Sequence, residues 1–148
     1  MAVRLSTVGR QPVREAVVRM SLTRQQVFPC HSTSVKAARD FVADALTGWG
    51  YGDLLEEVSL CVSEIATNAL VHGAPPSRTF AVRLEARADL VRIEVHDDSE
   101  LLPVPCSTDH CRENGRGLLL VNELADGWGI DKQPVGKAVW LAFKSSGQ

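Results

Sequence analysis

Apolar residues recur every three or four positions in some stretches of the chain and every second position in others. That change of period separates predicted helices from predicted strands. Leu22 to Phe28 reads as a first, edge strand closed by Pro29. Val35, Ala38, Phe41, Val42, Ala45 and Leu46 then fall on one helical face, with Ser32 and Ser34 as N-cap candidates. Gly48, Gly50 and Gly52 break this helix, and Asp53 is placed to cap a second one. The second helix runs to about Val71 with Leu54, Leu55, Val58, Val62, Ile65 and Ala69 as its core stripe. Gly73, Pro75 and Pro76 stop it.

Beyond Pro76 the period becomes two. Phe80, Val82 and Leu84 alternate with polar residues, as do Val91, Ile93 and Val95, and Arg87-Ala88-Asp89 is short enough to join them as a β-hairpin. From Asp97 to Asn114 the chain is polar, carries Pro103 and Pro105, and keeps no period. A loop longer than about 12–15 residues in a compact domain is commonly a functional lid. A third helix is expected from Arg116 to about Ala125, with Leu118, Val121, Leu124 and Ala125 inward. Trp128 to Asp131 and Ala138 to Phe143 form a closing hairpin around Pro134-Val135-Gly136. The sum is an α+β two-layer sandwich, with helices on one face of a mixed, mostly antiparallel sheet.

Composition narrows the function more than the fold. With 148 residues, 45% apolar and 23% charged, the chain has the makeup of one ordinary globular domain. A net charge of −2 argues against a direct nucleic-acid-binding role. The charge is uneven: Arg4, Arg10, Arg14, Arg19 and Arg24 face only Glu15 within residues 1–30, a net of +4 that leaves −6 for the remainder. Residues 1–21 therefore read as a basic, flexible leader and residues 22–148 as the folded domain. No apolar run approaches the roughly 20 residues that span a membrane. The leader also lacks the compact apolar segment of a secretory signal, so a cytoplasmic location is expected, with reduced thiols. Cys106, His110 and Cys111 cluster, and Cys30 with His31 could complete a zinc site, but the spacing matches none of the strong paired-cysteine patterns.

The candidate chemistry lies where regular elements meet loops. Glu64, Asn68 and His72 stand four residues apart, so the second helix carries them along one edge beside its core stripe. A carboxylate and an amide one turn apart suit a proton acceptor and a cation ligand, although the same pair is also common as a hydrogen-bonded surface couple. Asp97 ends a central strand, where a carboxylate can accept from an exocyclic amine such as N6 of adenine. Asp97-Asp98-Ser99 is equally the composition of a plain turn. Gly115-Arg116-Gly117-Leu118 directly precedes a helix, where backbone N–H groups and the helix dipole favour an anion.

In this order and at these separations the three segments resemble the GHKL ATPase superfamily, and within it the branch of small anti-sigma-factor serine/threonine kinases. Ser63-Glu64-Ile65-Ala66-Thr67-Asn68-Ala69-Leu70-Val71-His72-Gly73 is similar to the N box of that branch. Asp97 to Pro103 occupies the first glycine box and Gly115 to Leu118 the second. The tail is similar as well, with Leu124 to Gly129 followed by Gly136-Lys137-Ala138-Val139-Trp140. The likeness spans roughly residues 22–144.

The resemblance implies a site and a set of partners. Asn68 would coordinate Mg²⁺ at the phosphates of ATP, and Glu64 would be the general base toward an attacking serine or threonine hydroxyl. Asp97 would read adenine. Gly115 and Gly117 would bring backbone amides to the phosphates, and Arg116 would stabilise phosphate charge or engage a partner protein. The nucleotide-contacting set is then Asn68, His72, Asp97, Ser99, Gly115, Arg116, Gly117 and Leu118. The implied partners are a sigma factor and an anti-sigma-factor antagonist, and kinases of this type are often homodimers. One departure stands out. The superfamily's Asp-x-Gly-x-Gly has Ser99 and Leu101 at its glycine positions here, and leucine does not readily allow close backbone approach. A non-catalytic interaction module of the same fold, with or without nucleotide, therefore stays open beside the kinase.

Overall fold

The computed structural model describes residues 21–72, 79–97 and 119–146. Strand β1 (Leu22–Pro29) leads into helix α1 (Thr33–Trp49), a 3₁₀ turn (Gly52–Leu54) and helix α2 (Leu55–His72). The hairpin of β2 (Thr79–Arg87) and β3 (Leu90–Asp97) follows. Residues 119–124 are helical, and β4 (Gly127–Lys132) and β5 (Lys137–Lys144) close the fold. The sheet runs β1-β2-β3-β5-β4, and each of these pairings is antiparallel. This is the α+β architecture expected from the change of period, with β1 at an edge as anticipated.

Side-chain alternation decides which face meets the helices. Val82, Leu84, Val91, Ile93, Val95, Leu141 and Phe143 share one phase of β2, β3 and β5, and all are buried against Val42, Leu46, Val58, Val62 and Ile65 of the helices. Each such aliphatic side chain contributes about 1.5–3 kcal/mol by leaving water, so this layer is the main source of stability. Phe28 extends the core to the β1 edge by stacking on Phe80, with ring centroids 5.5 Å apart, and meeting Phe41 edge-on.

The ends of the elements refine the sequence reading. Ser32 occupies the N-cap of α1 but has helical dihedrals and makes no capping bond with its side chain. Ser34 is buried within the first turn. The chain there is organised by His31, whose Nδ1 accepts the Thr33 backbone N–H at 3.3 Å. At the far end Gly50 adopts φ 89°, and the Tyr51 N–H reaches the Leu46 carbonyl at 2.8 Å, which closes α1 as the glycine run implied. Asp53 lies inside the 3₁₀ turn that leads into α2, and its carboxylate takes hydrogen bonds from the Ser145 hydroxyl and the Ser146 backbone and hydroxyl, anchoring the chain beyond β5. The Ser146 backbone bond is the largest of the influences that hold this carboxyl below its ordinary value.

The β2–β3 turn is tight, with Arg87 directly opposite Leu90. Ala88 takes φ 54°, a left-handed conformation that costs a residue with a Cβ about 1–2 kcal/mol. Its carbonyl accepts the Tyr51 hydroxyl at 2.6 Å, and the Asp89 carbonyl accepts the Ser145 N–H at 2.7 Å. The turn is thus held from both sides. In the third helix Val121 is buried, with Leu124 and Ala125 packed partly against the core, as the periodicity suggested.

Candidate functional site

Helix α2 carries the first group of candidate residues. Its inward stripe places Val58, Cys61, Val62, Ile65 and Ala69 in the core, which fixes the rotation of the helix about its axis. With that rotation set, Glu64 is half-buried and Asn68 is only 7% exposed. The neighbouring polar residues have structural work. Ser63 Oγ donates to the Ser59 carbonyl at 2.9 Å and accepts from Arg39 of α1 at 3.2 Å, and Thr67 Oγ1 donates to the Ser63 carbonyl at 2.7 Å.

Asn68 differs from them. Its Nδ2 is buried and makes no hydrogen bond. Buried polar atoms are nearly always paired, and one left unpaired costs about 1–3 kcal/mol. An amide held this way, one turn beyond a half-buried carboxylate, is a candidate to meet a polar ligand. An amide oxygen is also the hard donor that Mg²⁺ prefers, so Asn68 with Glu64 fits that ion and the phosphates it would accompany. His72 closes α2, and its side chain lies outside the described residues.

Cys61 lies between Glu57 and Glu64 on the buried side of this helix. Burial, and then the two carboxylates, push its thiol up to about 12. It is an inert core residue rather than a nucleophile.

Asp97 is the last residue of β3 and faces the helix layer, since it continues the phase of Val91, Ile93 and Val95. It is not an open carboxylate. Lys137, directly opposite on β5, places Nζ 3.0 Å from Oδ1 and 3.2 Å from Oδ2, and both side chains are only 4% exposed. Sequence reasoning passed over Lys137 by beginning the last strand at Ala138. The signal was present in the alternation, because Lys137 shares the inward phase of Val139, Leu141 and Phe143.

Ser99, Gly115, Arg116, Gly117 and Leu118 lie outside the described residues, as does the rest of the expected lid. The cluster of Cys106, His110 and Cys111 is likewise outside them. Among the described residues no group of three or more histidine, cysteine, aspartate or glutamate side chains is placed to hold a metal. No described helix is long and apolar enough to cross a membrane.

Comparison with known proteins supplies an independent reading. The family model of the histidine kinase-like ATPase domain matches residues 28–143. No curated protein sequence matches the chain at a significant level. Among solved structures, the RsbU and RsbW domains of Rv1364c from Mycobacterium tuberculosis are similar in fold, with a TM-score of 0.62 at 16% identity over 84% of this chain. A second similar structure is the histidine kinase domain of the blue-light activated histidine kinase EL346 from Erythrobacter litoralis, with a TM-score of 0.44 at 22% identity over 76% of this chain. The chain spans about a third of the first structure (32%) and 61% of the second.

Proposed function

The chain belongs to the histidine kinase-like ATPase domain family, whose model matches residues 28–143, and we propose that it binds ATP with Mg²⁺ and is an anti-sigma-factor serine/threonine kinase. In this reading it holds a sigma factor and phosphorylates a hydroxyl of an anti-sigma-factor antagonist. The observation that carries the nucleotide site is Asn68, a buried amide with an unpaired Nδ2, one helical turn beyond Glu64. The anti-sigma assignment rests on the likeness of residues 63–73, 97–103 and 115–118 to that branch of the family.

The residues divide the work as phosphoryl transfer requires, mainly by positioning and charge neutralisation. Asn68 would hold the metal, and the metal when bound supplies neutralisation of phosphate charge. Asp97 would accept the amine of the base. Gly115, Gly117 and Arg116 would face the phosphates. Glu64 would take the proton of the attacking hydroxyl while its oxygen bonds to the γ-phosphorus and the bond to the ADP oxygen breaks.

Calorimetric titration of ATP with Mg²⁺ into the wild type and Asn68→Ala tests the site. Binding that the variant loses supports the nucleotide reading, and no binding to either protein sinks it. ATP-dependent labelling of a cognate antagonist, abolished in Glu64→Ala, would then support the kinase. Tight ATP binding with no transfer to any antagonist would remove the kinase and leave the module. A specific observation favours that second reading. Ser99 and Leu101 stand where the first glycine box has glycines, and contact-only regulation would leave partner binding indifferent to both nucleotide and Asn68→Ala.

A further inference from the structure

Charge is shared unequally between the helix layer and the chain that leads into the sheet. From Thr33 to His72 only Lys36 and Arg39 offset Asp40, Asp44, Asp53, Glu56, Glu57 and Glu64, a net of −4. Residues 1–20 carry Arg4, Arg10, Arg14 and Arg19 against Glu15, a net of +3. Lys36 is committed to Asp40 at 2.8 Å, and among the described residues Glu56 and Glu57 make no ion pair. The outer face of the sheet offers no such surplus, since Glu85 and Glu94 are already paired with Arg83 and Arg92.

Position brings the two opposite charges together. Strand β1 begins at Leu22 and runs beside α1, where the Arg24 guanidinium reaches Asp44 at 3.1 Å and lies 5.2 Å from the Phe41 ring centroid. The chain therefore enters the sheet next to the C-terminal half of α1, the end joined through the 3₁₀ turn to α2. A helix C-terminus favours cations, yet the last turn of α1 holds no basic residue. The exposed Glu56 and Glu57 stand in the first turn of α2, at the same end of the layer.

Two carboxylates in a first turn also suit the dipole of their own helix, so charge alone does not define the occupant. Leu60 adds an apolar contact: it is 48% exposed and lies one turn beyond Glu56 on the same edge. A segment that fits this face combines cations with apolar side chains at matching spacing. Val13, Val17 and Met20 recur at i, i+4 and i+7, with Arg14 and Arg19 between them. Reach is not limiting, because ten extended residues span about 33 Å against roughly 8–10 Å between packed helices.

We propose that residues 1–20 dock on the outer side of the helix layer, where α1 ends and α2 begins. Leu60 is the apolar contact, and Glu56 and Glu57 receive arginines of the leader. The docked segment masks this face against other basic chains and is released as salt screens the pairs. The inference is independent of nucleotide binding.

Trypsin cleavage of the full chain after Arg10, Arg14 and Arg19, followed by mass spectrometry at low salt, tests it. Glu56→Gln/Glu57→Gln, which adds no trypsin site, and Leu60→Ser should each speed cleavage about two- to tenfold, as expected for losing exposed pairs or one partly covered apolar contact. Salt of about 0.5 M should narrow the difference between the wild type and Glu56→Gln/Glu57→Gln. The three substituted positions are exposed, so the core is untouched, and unchanged circular dichroism checks this. Equal cleavage rates in the wild type and either variant overturn the proposal. Protection that rises with protein concentration overturns it as well, because the face then holds the leader of a second copy.

Discussion

The two faces of the sheet handle charge in opposite ways. On the helix-facing side the Asp97–Lys137 pair, at the end of the apolar rows of β3 and β5, is almost wholly withdrawn from water, whereas at the β1 edge Arg24 meets Asp44 of α1 at 3.1 Å on exposed side chains. On the outer side charges are the rule. Arg83 pairs with Glu85 at 3.4 Å, Arg92 with Glu94 at 2.9 Å, and His96 with Glu94 at 2.8 Å, all on half-exposed side chains. Exposed pairs of this kind are worth roughly 0–1 kcal/mol each, because water screens them and long side chains lose freedom. A buried pair gains more from mutual attraction but has already given up hydration, so removing one partner is severe even when the intact pair adds little net stability. Exposed pairs can therefore be altered at little cost, and the buried pair cannot.

Breaking the inner pair should have the largest effect. Lys137→Met is expected to cost about 3–5 kcal/mol in urea unfolding, because Asp97 loses the ammonium that offsets its burial. The double variant Asp97→Asn/Lys137→Met should recover a good part of that loss. A single variant as stable as the wild type would show that the pair is not buried in solution.

The outer face has one sterically exacting point. The Trp140 indole lies across Gly129, so a Cβ there would come 2.7 Å from Trp140 Nε1 and 2.8 Å from Cε2. Gly129→Ala must push the ring aside and disturb Arg92, whose guanidinium stacks 4.7 Å from the ring centroid. The expected cost is about 1–3 kcal/mol, with a shift in tryptophan emission. Arg92→Ala, which removes the stacking and the Glu94 pair but leaves the ring in place, should cost less, about 0.5–1.5 kcal/mol.

The smallest effect is a pH dependence. Burial pushes the Glu94 carboxyl up, but hydrogen bonds from Arg92 and His96, together with their charges, outweigh it and leave the group below its ordinary value of 4.5. A carboxyl lowered in the folded state stabilises fully above its unfolded value, and that contribution disappears as pH falls through the folded value. The stability difference between wild type and Glu94→Gln should therefore be at most about 1 kcal/mol at pH 7 and fade below the ordinary carboxylate range. A difference that persists unchanged at acid pH would show that the carboxylate charge is not its source.

The helices and strands were legible because their periods are set by burial. The stripe from Val58 to Ala69 and the alternation through Val91, Ile93 and Val95 each match one face of the observed core. Element ends were read less well. Asp53 has the composition of a cap, but Ser145 and Ser146, more than ninety residues away, claim its carboxylate. The same limit applies to the site. Glu64 and Asn68 could be placed together because helix geometry fixes i, i+4 neighbours. Lys137 could not be joined to Asp97, since their contact depends on which strand lies beside β3.

The amino-acid sequence by itself determined the periods, the α+β class and the row of Glu64 and Asn68 on one helical edge, since these follow from local geometry and from the burial of apolar side chains. Tertiary structure alone decided that β5, rather than β4, lies against β3 and brings Lys137 opposite Asp97. It also decided that Asn68 is buried with its Nδ2 unpaired. Strand order and burial depth depend on contacts between residues far apart in the chain, which no local pattern specifies.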